Sequence, residues 1–193
     1  MLIVHHGLFW SKPVMVTGIH RTRLVTLLDA DVSLYAVHLP LDFHDTLGNN
    51  ATLARWLRLE NVDTFGHHKG SAAGFIGDLS AEMSLEEFVA LAEKATGEPA
   101  TGVWSFGRPR VRRVAIVSGG AGFLVNQAAD ARADVYLTGE VSHGVYHEAA
   151  ELGINVVYGG HYATETAGLK ALADHLAERF KLETNFLDLP TGA

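Results

Sequence analysis

The chain has 193 residues, 48% hydrophobic and 19% charged, which is enough apolar material for one large domain or two small interlinked lobes. A formal net charge of −7 argues against non-specific binding of a nucleic-acid backbone, which needs clustered Lys and Arg, and the lack of Cys excludes disulfides, thiolate metal sites and cysteine nucleophiles. No apolar run approaches the length of a membrane span, and no basic stretch leads into a long apolar one at the start, so the expectation is a cytoplasmic protein without a signal peptide.

In chain order, Leu2–Val4 reads as a short strand ended by His5 and His6. His20–Ala30 carries Leu24, Leu27 and Leu28 at helical spacing. Ser33–Val37 reads as a second strand, followed by HLPLDFHDTLGNN as a loop punctuated by Pro40 and Gly48. Asn50–Leu59 is a predicted helix and GFIGDL a strand. Ser84 stands three residues before Glu87, a capping-box pattern that starts a helix running to about Thr96, with Gly97 as its terminator. Val111–Ser118 is a strand, and SGGAGF turns into a helix from about Phe123 to Ala133. VYLTG is a strand, Ser142–Leu152 a helix, INVVYGG a strand, Thr164–Phe180 a long amphipathic helix and TNFLDL a closing strand.

This alternation predicts an α/β protein of two interlinked lobes with mixed, largely parallel sheets. The Gly-rich run from Gly66 to Gly77 is the candidate hinge, with tentative lobes 1–62 and 63–193. Ligands of such folds bind beyond the carboxyl ends of the strands. Polar clusters sit at several of these positions: His5-His6, the His38–Asp42 loop, Glu140 and His161.

Eleven histidines demand explanation. His161 and Glu165, four apart near a helix start, can reach one ion; the plainer alternative is a surface His–Glu pair. Asp42 follows a strand end and Pro40, and is either a ligand or an ordinary turn aspartate. His5 and His6 can serve one site only if the strand ends there, which Gly7 permits. Together these five side chains are too many for a lone catalytic zinc with three protein ligands. They suit two ions about 3.5–4 Å apart, drawn from Zn, Fe, Mn or Co, that activate a water near neutral pH.

The other histidines have weaker claims. His38 and His44 flank Asp42 as orienting groups or substrate contacts, and His143 and His147, four apart on a predicted helix, fit the lining of a substrate pocket better than a separate metal site. His67 and His68, in GHHKG beside Lys69, read as a mobile solvated loop, and His20 and His175 as exposed helix residues. VSGGAGF is either a phosphate cradle at a helix start or a tight turn that needs small residues. It is neither a Walker loop nor GxGxxG, and no GxSxG is present.

The segments IVHHGLFW, HLPLDFHDTLGNN, GFIGDL, VSGGAGF, LTGEVSH and GHYATE occur in that order. Together they resemble the Nif-three-like family of dinuclear-metal hexameric proteins, whose members are often called GTP cyclohydrolase I type 2 homologues. The resemblance covers essentially the whole chain. It implies an α/β fold and a toroidal homohexamer with metal centres facing the inner cavity. It also implies metal ligands at His5, His6, Asp42, His161 and Glu165. Glu165 would bridge two divalent transition-metal ions, with His6 and Asp42 leaning toward one and His5 and His161 toward the other. His38 matches a histidine close to that centre, and Glu140 is the other candidate for orienting it.

The implied activity is that of a metal-dependent hydrolase acting on a small nucleotide-like molecule, with guanine-ring opening suggested by the cyclohydrolase label. The alternative is a metal-binding scaffold or regulatory ring protein without turnover, and a third reading is an inactive remnant. Members of the family normally carry several dozen residues before the HHG motif, which supply a strand and helices to the first lobe. In this sequence His5 is the fifth residue. The expectation is therefore a missed upstream start or a shortened first lobe.

Overall fold

The computed structural model describes residues 1–9, 12–68 and 70–192; Lys69 of the GHHKG segment lies outside them. The chain divides into two compact units, Met1–Leu41 and Asp42–Ala193. Among the described residues, no helix is long and apolar enough to cross a membrane.

In the first unit, β1 (Leu2–Val4) and β2 (Leu34–Ala36) pair in parallel, with Ile3 opposite Tyr35. The connection contains α1 (Gly18–Asp29), close to its predicted bounds. Its leucine spacing does not make a core, because α1 has no buried residue and Leu28 is 75% exposed. One helical turn, α2 (Leu39–Asp42), replaces the loop expected across HLPLD and spans the division between the units.

The second unit begins with α3 (Asn49–Trp56), β3 (Glu60–His68) and β4 (Ser71–Ser84). Most of the Gly-rich run therefore lies in the two paired strands of an antiparallel hairpin, and the lobe boundary expected after residue 62 falls inside β3. Next comes α4 (Leu85–Thr96), which has the capping box read from its sequence. Ser84 Oγ accepts from the Glu87 N–H at 3.1 Å, a Glu87 carboxylate oxygen accepts from the Ser84 N–H at 2.7 Å, and Gly97 ends the helix at φ 84°. Such caps contribute about 1 kcal/mol.

β5 (Gly102–Ser105), which no sequence pattern signals, and β6 (Arg110–Val117) follow. A 3₁₀ turn at Gly122–Leu124 leads into the short α5 (Val125–Asp130), then β7 (Val135–Thr138). A second 3₁₀ turn at His143–Val145 precedes α6 (Tyr146–Leu152), then β8 (Asn155–Tyr158) and α7 (His161–Phe180). The predicted closing strand at TNFLDL is absent; this stretch instead lies along α7. The Leu189 N–H donates to Tyr162 Oη at 2.8 Å, and Lys170 sits over the Phe186 ring.

The six-stranded sheet has the order β3-β4-β6-β7-β8-β5. β6, β7 and β8 run parallel at its centre, flanked by antiparallel β4 and β5. Alternation along the central strands feeds two cores. Ala115, Val117, Tyr136 and Val156 pack with Leu124 and Ala128 around α5, and with Ala149 of α6. Val114, Ile116, Leu137 and Val157 pack with Leu53 of α3, Phe88 of α4 and Ala167 of α7. A mixed α/β sheet covered on both faces results. It leaves the carboxyl ends of β6, β7 and β8 side by side, carrying Ser118-Gly119-Gly120, Gly139-Glu140 and Gly159-Gly160-His161.

Candidate metal centre

In the first unit, the ends of the paired strands β1 and β2 bring three imidazoles together. The rings of His5, His6 and His38 lie 4.8–5.0 Å apart, and each offers a nitrogen within 4.8 Å of the others. His5 is only 6% exposed, and its Nδ1 lies 3.0 Å from the Val37 carbonyl oxygen. A carbonyl can only accept, so Nδ1 carries the proton and the ring's lone pair is at Nε2. This is how proteins commonly set the tautomer of a ligating histidine. Gly7 serves here through close approach: a Cβ on it would lie 2.6 Å from the Ala36 Cβ. His38, expected beside the centre, is a full member of this cluster.

In the second unit, α7 starts at His161 rather than at Thr164, so His161 and Glu165 form a true i, i+4 pair on its first turns. His161 Nδ1 donates to Glu140 Oε1 at 2.5 Å, and Nε2 lies 3.0 Å from Glu165 Oε2. The hydrogen bond to Glu165 is the main cause that pushes His161 up to about 9; partial burial opposes it, and the charges of Glu165 and Glu140 add to it. His161 and Glu165 could each offer one atom to a metal ion.

Asp42 is buried and aimed by residues that the motif reading did not single out. Asn49 Nδ2 and Ser118 Oγ donate to its Oδ1 at 2.8 and 3.3 Å. The Asn49 oxygen in turn accepts from the Gly168 N–H of α7 at 2.7 Å. Asn50 donates to the Asp42 and Ala73 carbonyls and accepts from the Ser118 N–H at 2.7 Å. His44, expected to orient Asp42, instead accepts from the backbone N–H groups of Thr46 and Leu47.

VSGGAGF forms a turn that requires small residues. Gly119 has φ +66°, and a Cβ there would collide with Glu165 Oε1. A Cβ on Gly120 would lie 3.1 Å from Glu140 Oε2. Two of its backbone N–H groups are engaged within the fold: that of Gly119 with Thr164 Oγ1 at 3.1 Å, and that of Ala121 with the Gly119 carbonyl. Thr164, fully buried, also donates to the Gly160 carbonyl at 2.8 Å, which ties the first turn of α7 to this glycine turn.

The remaining histidines separate from these groups. His143 opens a 3₁₀ turn and His147 lies on α6, so their expected helical pairing does not form. His67 and His68 belong to β3. His20 is half-buried against Phe9 rather than exposed.

The imidazole cluster of the first unit and the imidazole and carboxylate groups of the second are each of a kind that could hold a metal ion. The chain matches the Duf34/NIF3 (NGG1p interacting factor 3) family over residues 1–191, and it belongs to that family. It is 42% identical over 192 residues to a GTP cyclohydrolase 1 type 2 homolog of Deinococcus radiodurans, covering 100% of this chain and 73% of that protein. The homolog of the same name from Pyrococcus horikoshii is 45% identical over 193 residues, covering 100% of this chain and 76% of that protein. The fold is similar to TTHA1606 from Thermus thermophilus, with TM-score 0.86 and 43% identity over 99% of this chain and 75% of that one.

Proposed function

We propose that this protein is a hydrolase built on a dinuclear metal centre, with His5, His6, Asp42, His161 and Glu165 as ligands to two divalent ions drawn from Zn, Fe, Mn or Co. The observation that carries the reading is the bracketing of His161 by Glu140 at Nδ1 and Glu165 at Nε2. Independent support comes from the imidazole cluster of the first unit, where the Val37 carbonyl fixes the His5 tautomer required for ligation through Nε2. The mixed set of imidazole and carboxylate donors suits borderline divalent ions.

When bound, such ions polarise the scissile group and make a water nucleophilic near neutral pH. The chain's own residues do the positioning. Glu140 orients His161, Asn49 and Ser118 aim Asp42, and Gly119 leaves room for the Glu165 carboxylate. A small nucleotide-like molecule is the proposed substrate class, consistent with the names of the relatives. A homohexamer is the proposed assembly. Exposed Phe9, Met15, Ile19 and Tyr35 of the first unit offer it apolar contact surface.

Elemental analysis of the purified protein tests the centre. Close to two transition-metal ions per chain are expected, with loss of both in the His5→Ala/Glu165→Ala double variant; full metal content in that variant would overturn the assignment. Metal-dependent product release from a nucleotide panel tests the hydrolase reading. Full loading without turnover on any phosphate or purine substrate would instead favour a metal-binding scaffold.

A further inference from the structure

The β3–β4 hairpin reaches past its neighbour. β4 pairs with β6 from Phe75, opposite Ile116, to Ser84, whereas β3 and β4 continue to pair with each other through His67–Ala72 and His68–Ser71. His67, His68 and residues 70–73 therefore extend past the carboxyl end of β6, the end that carries Ser118, Gly119 and Gly120. Gln127 of α5 clamps this overhang: its Oε1 accepts from the His67 N–H at 2.7 Å, and its Nε2 donates to the His67 carbonyl at 3.3 Å. The side-chain amide thus substitutes for a further strand.

The clamp seats the His68 ring against Phe123, with centroids 5.1 Å apart and planes tilted by 56°. Phe123 is 49% exposed, although Gly122 and Leu124 on either side of it are buried. It lies three residues beyond Gly120, the glycine packed under Glu140, so at most about 11 Å separates their Cα atoms. Gly122 packs against Ser142 in the loop that Glu140 opens, and Val141 of that loop is 50% exposed. A half-exposed aromatic ring thus stands in the turn that follows Gly120, braced by a histidine on a hairpin that hydrogen bonds hold in place. That is the construction of a stacking surface, since an aromatic face attracts a flat ring regardless of the ring's detailed hydrogen-bonding pattern.

We propose that His68 and Phe123 form a stacking wall for a planar ring, and that the substrate of the neighbouring centre carries a flat heteroaromatic group next to its reacting part. This rests on the metal-centre reading above.

Calorimetric titration of metal-loaded protein with a purine nucleoside monophosphate and with ribose 5-phosphate tests it, with metal content measured on the same samples. The wild type is expected to bind the base-bearing compound more tightly. Phe123→Leu should lose roughly five- to 150-fold of that affinity, leave ribose 5-phosphate binding and metal content unchanged, and be rescued by Phe123→Tyr. His68→Ala should shift binding in the same direction. Loaded wild type that treats both compounds alike, or a Phe123→Leu variant that weakens both or neither, would overturn the stacking wall while leaving the centre standing. Wild type that takes up no metal would overturn the centre, and this inference with it.

Discussion

His161 donates from Nδ1 to Glu140 at 2.5 Å while its Nε2 faces Glu165 at 3.0 Å, so one imidazole at the start of α7 links the end of β7 to the next turn of its own helix. Glu140 therefore sets both the tautomer and the ring plane that a cation at Nε2 would meet.

Glu140 is accordingly a positioning residue. Glu140→Ala is expected to weaken metal affinity by about 10–100-fold, the usual effect of removing a partner behind a ligating histidine. Glu140→Gln, which keeps an acceptor for Nδ1–H but loses the charge, should fall between that variant and the wild type. Chelator competition measures both, and unchanged affinity in Glu140→Ala would refute the role.

The raised pKa of His161 gives a pH signature in metal-stripped protein. Its folded value of about 9 exceeds the ordinary 6.5, so protonated His161 stabilises the fold fully below pH 6.5, and this contribution is lost as pH rises through 9. The midpoint of thermal unfolding should fall across that window, and His161→Gln should flatten the decline. Because a cation must displace the same proton, metal affinity should rise from pH 6.5 to 9, with proton release detectable by calorimetry in buffers of different ionisation enthalpy.

Asn50 is completely buried and joins the Asp42 and Ala73 carbonyls to the Ser118 N–H. Asn50→Ala strands three backbone groups, which is expected to cost about 3 kcal/mol in urea unfolding. Asn49→Ala instead removes a donor from the Asp42 carboxylate and should lower metal content more than Asn50→Ala does. Equal metal loss in the two variants would contradict this division of labour.

Local patterns were legible where the chemistry is local. The capping box at Ser84 and Glu87, the stop at Gly97 and the apolar strands β6, β7 and β8 all follow from neighbours in sequence. The start of α7 was placed three residues late, because a His-Tyr-Ala opening carries no cap signal and Gly160, at φ 84°, provides the entry. β3 was hidden by its glycines and histidines, and it is a strand because β4 pairs with it. The expected strand at TNFLDL failed for the converse reason: its alternation is strand-like, but among the described residues no strand edge pairs with it.

By itself, the sequence determined the α/β class, the family and the candidate ligands His5, His6, Asp42, His161 and Glu165, because residue type and spacing are properties of the chain. Only the tertiary structure decided what holds those donors. Asn49 reaches Asp42 across seven positions, Ser118 across 76, and Glu140 reaches His161 across 21. Such partners are brought together by parallel pairing of β6, β7 and β8 and by packing of α7 beside them. Sequence distance carries no record of either.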